Sequence, residues 1–162
     1  MKQAVIFDVD GVLVDSYQAH FDSWVQLFAE LGYAYSEDEF RAGFGRTSGE
    51  NLVQWAQKNG QAFSTEKVQE LDNRKEAIYR QVISQNFAHI EGAVELIDAL
   101  DSAGFALAIG SSGRPENIAV VLEALDRKNS FSAVVSRADV TRGKPDPAIF
   151  LTAAERLDIP PS

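Results

Sequence analysis

Asp8 and Asp10 stand two residues apart in Phe7-Asp8-Val9-Asp10-Gly11, directly after the apolar run Ala4-Val5-Ile6-Phe7. On an extended chain both carboxylates face the same way, and like charges so close need a cation or a shared proton. One carboxylate can then attack phosphorus while the other, kept protonated, donates to the leaving oxygen. A turn built from Asp and Gly accounts for the same residues. Ser111 and Ser112, in Gly110-Ser111-Ser112-Gly113, precede Pro115 and a helical pattern. Their hydroxyls and the free backbone N–H groups there suit phosphate oxygens, or they merely cap the helix. Lys144 lies in Gly143-Lys144-Pro145-Asp146-Pro147, where two prolines restrict the backbone that aims it. It is either a held ammonium or a solvated surface lysine. Taken together, these groups suit a phosphoryl group and a divalent metal.

The elements that must position them follow from periodicity. Ala4 to Phe7 reads as a strand buried on both faces. Phe105 to Ile109 and Ala133 to Val135 are two more apolar strands. Helical stripes run through Ala93, Leu96, Ile97 and Leu100, then Ile118, Val121, Leu122 and Leu125, and finally Phe150, Ala153, Ala154 and Leu157. Asp146 and Pro147 open the last of these. Strand and helix alternate, which predicts an α/β fold with a parallel sheet. In such a sheet ligands bind at the carboxyl ends of the strands, where Asp8, Asp10, Ser111, Ser112 and Lys144 all fall. Residues 17–87 interrupt the alternation with helices only, beginning with the stripe Phe21, Trp24, Val25 and Phe28.

The 162 residues carry 15 Lys and Arg against 24 Asp and Glu, a formal net charge of −9. That balance argues against non-specific binding to nucleic acid or to an anionic membrane, so an anionic ligand needs locally placed cations. With no cysteine, disulfides, cysteine metal sites and thiol nucleophiles are excluded. No run approaches the ~18 apolar residues of a membrane span. No signal peptide is read in the short apolar start, and the expected location is the cytoplasm.

The three motifs, Phe7 to Leu13, Ile109 to Ser112 and Gly143 to Pro147, resemble in order and interval the first three signature motifs of the haloacid dehalogenase (HAD) superfamily. The resemblance covers the whole chain and is closest to the branch of phosphoglycolate-phosphatase-like enzymes and β-phosphoglucomutase, a likeness that Asp15, His20 and Trp24 share. It implies a doubly wound, Rossmann-like core over residues 1–16 and 88–162, with an inserted helical cap over 17–87. It further implies Mg²⁺ and hydrolysis of a small phosphorylated metabolite through an aspartyl-phosphate. By position, Asp8 is the nucleophile and a metal ligand. Asp10 is the general acid/base and offers its backbone carbonyl to the metal. Ser111, Ser112 and Lys144 bind phosphate.

In the cap, His20, Gly45, Arg46 and Lys75 are the candidate substrate residues. Each has a plainer reading: a structural hydrogen bond for His20, a helix connection for Gly45 and Arg46, and a solvated helix face for Arg74-Lys75. Trp24 lies on an apolar stripe and reads as core. The arginine that grips a distal phosphate in mutase-like relatives aligns with Ser48, Arg46 standing two residues earlier, which favours a phosphatase over a phosphotransferase. The family's fourth, acidic motif is expected on a strand beyond Ser162. The given residues are then an incomplete core, and the first strand is an edge where self-association is expected. An inactive fragment or binding module is the remaining alternative for these 162 residues.

Overall fold

The computed structural model describes residues 3–43 and 46–160. Three strands, β1 (Ala4–Phe7), β2 (Ala106–Gly110) and β3 (Phe131–Val135), form a parallel sheet in the order β1-β2-β3. Seven α-helices accompany them among the described residues: α1 (Tyr17–Glu30), α2 (Glu37–Ala42), α3 (Ser48–Lys58), α4 (Thr65–Gln85), α5 (Ala93–Ser102), α6 (Pro115–Ala124) and α7 (Ala148–Arg156). The fold is the α/β architecture that the strand–helix alternation predicts, with β1 paired on one side only among the described strands. By contacts the chain divides into two compact units, Met1–Tyr17 with Phe87–Ser162, and Gln18–Asn86.

In the first unit β1 runs in register with β2, Ala4 against Ala106 through Phe7 against Ile109. Every residue of β2 is buried, as expected for a strand covered on both faces. Its alternation sorts side chains by size. Ala106, Ala108 and Gly110 share one face, and Leu107 and Ile109 share the other. The small face receives α7, where Ile149, Ala153 and Leu157 cluster with Ala106, Ala108, Ala133 and Val135. A Cβ on Gly110 would stand 3.1 Å from both Ile149 Cγ2 and Ile6 Cγ2. Glycine there lets the helix close on the strand end.

Two of the expected stripes are narrower than their sequences imply. Leu96 is 50% exposed, because α5 buries only Ala93 and Ile97. Phe150 is 38% exposed; its ring lies under the Lys144 ammonium, 4.9 Å from ring centre to Nζ, instead of in the core. The α6 face is buried throughout, at Ile118, Val121, Leu122 and Leu125.

Beyond β1 a tight turn closes with Leu13 N–H donating to Val9 O and Gly11 N–H donating to Val14 O. Asp15 N–H then donates to Ala88 O, and Ile90 N–H donates to Leu13 O. Val14 and His89 therefore form one antiparallel pair.

The second unit is helical. Capping boxes start α2, between Ser36 and Glu39, and α3, between Thr47 and Glu50; Ser64 caps α4. Its core is aromatic. Phe28, wholly buried, stacks on Tyr35 at 4.7 Å and meets Trp55 at 4.3 Å, while Trp24 lies 5.8 Å away. Burial pushes the Tyr35 hydroxyl up to about 12, with the nearby Glu39 charge adding to it. Among the described residues no helix is long and apolar enough to cross a membrane.

Candidate active site

Asp8 is the first residue after β1, and Lys144 comes from the loop that leads into α7. Lys144 Nζ stands 2.7 Å from Asp8 Oδ2, with both side chains partly exposed. The other carboxylate oxygen, Oδ1, accepts the Val9 N–H at 2.8 Å. The loop bearing the lysine is anchored behind it. Asp146 Oδ1 accepts the Ala148 N–H at 3.0 Å, and Asp146 Oδ2 pairs with Arg142 at 3.1 Å. Asp146 thus holds the amide of Ala148, the first helical residue of α7, with Pro147 at the cap position between them.

Ser111 follows β2 and is buried, with its amide tied to Val135 O at 3.0 Å. Its Oγ accepts the Gly113 N–H at 2.9 Å, which leaves the hydroxyl hydrogen to donate to another group. Ser112 is exposed on the same turn. Asp10, also exposed, reaches this turn: a Cβ on Gly113 would lie 3.9 Å from Asp10 Oδ2 and 3.2 Å from Ser111 Oγ. The first unit therefore gathers Asp8, Asp10, Ser111 and Lys144 at one rim of the sheet. It is a cluster of two acids, a hydroxyl donor and a cation, open to solvent on one side.

Asp8 and Asp10 offer hard oxygen donors of the kind Mg²⁺ takes, and that ion keeps several waters of its own. In donor chemistry the residues fit it. Among the described residues no group of three or more His, Asp or Glu side chains is gathered as a metal cage.

The candidate residues of the helical unit are engaged within that unit. Arg46 Nη1 donates to Ala42 O at 2.6 Å and to Gln54 Oε1 at 2.8 Å. Gly45 lies outside the described residues. His20 stacks on Tyr79 with ring centres 4.1 Å apart and places Nδ1 3.0 Å from Lys75 Nζ. Arg74 forms an exposed two-pronged pair with Glu30, which holds that carboxyl below its usual range.

Lys75 overturns the reading of a solvated helix face. Its side chain is 3% exposed and bonds Glu76 at 3.0 Å, itself 7% exposed. Glu76 Oε1 also accepts the Ser48 hydroxyl at 2.9 Å. The sequence held a signal for this: Lys75 occupies the stripe Leu71, Ile78, Tyr79, Val82 and Ile83, all buried. Glu76 and Tyr79 were not among the residues singled out.

The family model for haloacid dehalogenase-like hydrolases matches residues 2–162. The chain is 32% identical over 165 residues to β-phosphoglucomutase of Bacillus subtilis, covering 99% of this chain and 72% of that protein. It is 30% identical over 162 residues to a phosphorylated carbohydrates phosphatase of Thermotoga maritima, covering 98% and 72%. In fold it is similar to CbbY of Rhodobacter sphaeroides solved with phosphate, at a TM-score of 0.88 and 23% identity over 99% of this chain and 75% of that one. The motifs, the sheet that presents them and these likenesses agree: the chain belongs to the haloacid dehalogenase-like hydrolases, in the branch of β-phosphoglucomutase and CbbY.

Proposed function

We propose that the chain is a Mg²⁺-dependent phosphatase of small phosphorylated metabolites, sugar phosphates foremost, with residues 1–16 and 88–162 as its catalytic core and 17–87 as its cap. The single observation that supports this best is the 2.7 Å pairing of Lys144 with Asp8 at the strand end, beside Asp10 and Ser111. In this reading Asp8 attacks phosphorus, the ester P–O bond breaks, and Asp10 gives its proton to the leaving oxygen. Asp10 then takes a proton from water as that water attacks phosphorus, and the bond to Asp8 breaks to release inorganic phosphate. Lys144 and the Ser111 hydroxyl hold phosphoryl oxygens throughout, with Ser112 beside them. Bound Mg²⁺, held by the Asp8 carboxylate and the Asp10 carbonyl, would supply positive charge to the phosphoryl oxygens.

Among the relatives, one is named as a phosphatase of phosphorylated carbohydrates and another as a phosphoglucomutase. Hydrolysis is favoured here by the helical unit itself. Arg46 is held by Ala42 and Gln54, and Ser48, at the aligned place of the mutase arginine, is bound to Glu76. A panel of sugar phosphates and small phosphomonoesters should release inorganic phosphate with no bisphosphate activator. Asp8→Asn should lower turnover by about three orders of magnitude or more while the fold persists. Efficient conversion of β-glucose 1-phosphate to glucose 6-phosphate with little phosphate release would reverse the assignment to a phosphotransferase.

A further inference from the structure

Phe150 is an aromatic residue that the core does not take up. Its neighbours on α7, Ile149, Ala153 and Leu157, pack against the small face of β2, whereas Phe150 stays exposed. Its backbone is fixed in the first turn of the helix, where its N–H donates to Pro147 O at 2.9 Å. On one side the ring is seated against the end of β2. A Cβ on Gly110 would stand 3.3 Å from Phe150 Cδ1, inside the ordinary separation of two carbons, so the glycine lets the ring lie where it does. On another side the ring meets Lys144, whose Nζ lies 4.9 Å from the ring centre and 2.7 Å from Asp8 Oδ2. Strand end, ring, ammonium and carboxylate are linked in one series of contacts.

We propose that Phe150 is a positioning residue, whose ring face keeps the Lys144 ammonium at the phosphoryl site when its pairing with Asp8 is given up. The proposal rests on the phosphatase reading above, in which Asp8 is the nucleophile and Lys144 holds phosphoryl oxygens. A lysine carries its charge on a long flexible stem, and fixing that stem costs rotamer freedom. In the free chain the Asp8 carboxylate and the ring share the task. Once an Asp8 oxygen has bonded to phosphorus, that carboxylate is an acyl phosphate and has lost its own charge, and the ammonium turns to the phosphoryl oxygens. The negative face of the ring is unaltered by the step and goes on attracting the cation. A second carboxylate in its place would hold the ammonium too, but it would repel an incoming phosphate dianion. An uncharged ring does the one without the other.

The test is a double-mutant cycle between Phe150 and Lys144, read on para-nitrophenyl phosphate. Phe150→Leu should lower kcat/KM about fivefold, while Phe150→Tyr, which keeps the ring, should stay within about twofold of the unmodified chain. Phe150→pentafluorophenylalanine keeps the shape of the ring and reverses the charge of its face, so it should lose as much as the leucine variant with an unchanged thermal transition. In the Lys144→Met background each of these changes should alter kcat/KM by less than about twofold. An undiminished loss in that background would overturn the proposal, because the ring would then act on the substrate or the fold and not through the lysine. Full activity in the pentafluoro variant would overturn it equally. Calorimetric titration with inorganic phosphate, run on the same variants, reads the cycle without turnover. Phosphate binding that weakens in Lys144→Met but ignores every change at Phe150 sinks the Phe150 assignment alone. Phosphate binding that Lys144→Met leaves unaltered, with no ester turned over, sinks the phosphatase reading and the assignment with it.

Discussion

The Lys75 ammonium and the His20 imidazole meet at 3.0 Å between Nζ and Nδ1 within the helical unit. A charged lysine can only donate, so the facing ring nitrogen is the acceptor and the imidazole hydrogen belongs on Nε2. Glu76 takes another of the lysine's hydrogens, and the rings of Trp24 and Tyr79 lie 5.6 and 5.3 Å from Nζ. Each of these neighbours presents negative charge or an electron-rich face to the cation.

Lys75→Met should therefore destabilise the chain by about 3–5 kcal/mol, because it leaves Glu76 buried without its cation. The double substitution Lys75→Met with Glu76→Gln should recover a large part of that loss. Urea unfolding of the two single variants and the double variant measures the coupling. A double variant whose loss equals the sum of the singles would show that the pair does not interact.

Phe28 is wholly enclosed by other rings, so Phe28→Ala should cost about 3–5 kcal/mol. Trp24 and Trp55 are its direct neighbours, and the native tryptophan emission should shift with the substitution. A stable variant with unchanged emission would contradict the packing.

The Asp139 carboxylate is held down to about 2, first by the Ser136 hydroxyl, then by Arg156 and by the Ser136 amide. An unfolded aspartate titrates near ~3.9. Since the folded value is the lower, the ionised form contributes stability that is fully present above the unfolded value and is lost as pH falls from about 4 towards 2. Asp139→Asn should flatten the acid limb of stability in that window and leave the neutral-to-alkaline limb unchanged. Midpoints of thermal unfolding between pH 2 and 7 read it. An acid limb identical in both forms would remove Asp139 from the account.

Lys144→Met should lower kcat/KM for any phosphomonoester by about a hundredfold or more, since it removes the cation beside Asp8. Lys144→Arg should restore only part, because a planar guanidinium does not reproduce a compact ammonium in the same space. Wild-type rates in the methionine variant would place the phosphoryl group elsewhere.

The rim of the sheet was legible because it is written in local signals. β1 ends where its apolar run meets Asp8, and β2 ends at Gly110 before Ser111. What escaped lies in the rotation of helices about their own axes. A stripe such as Phe150, Ala153, Ala154 and Leu157 gives the mean direction of a buried face but not its width, and Phe150 falls at its margin, beneath Lys144. By type Lys75 reads either as a substrate residue or as part of a solvated helix face, and only its neighbours Leu71, Ile78 and Tyr79 put its position on the buried side. The Ser48–Glu76 bond joins segments far apart in the chain, and nothing in either segment announces the other.

Val14 and His89 are paired across one rung of ladder, with hydrogen bonds on either side from Asp15 to Ala88 and from Ile90 to Leu13. In an antiparallel pair of this kind the two Cα atoms stand about 4.5 Å apart, a gap that a tight hairpin turn spans. The polypeptide thus departs from the strand-bearing unit and comes back to it at adjacent points. The register of the strands is set by pairings inside that unit, so it does not depend on how many residues lie between those two points.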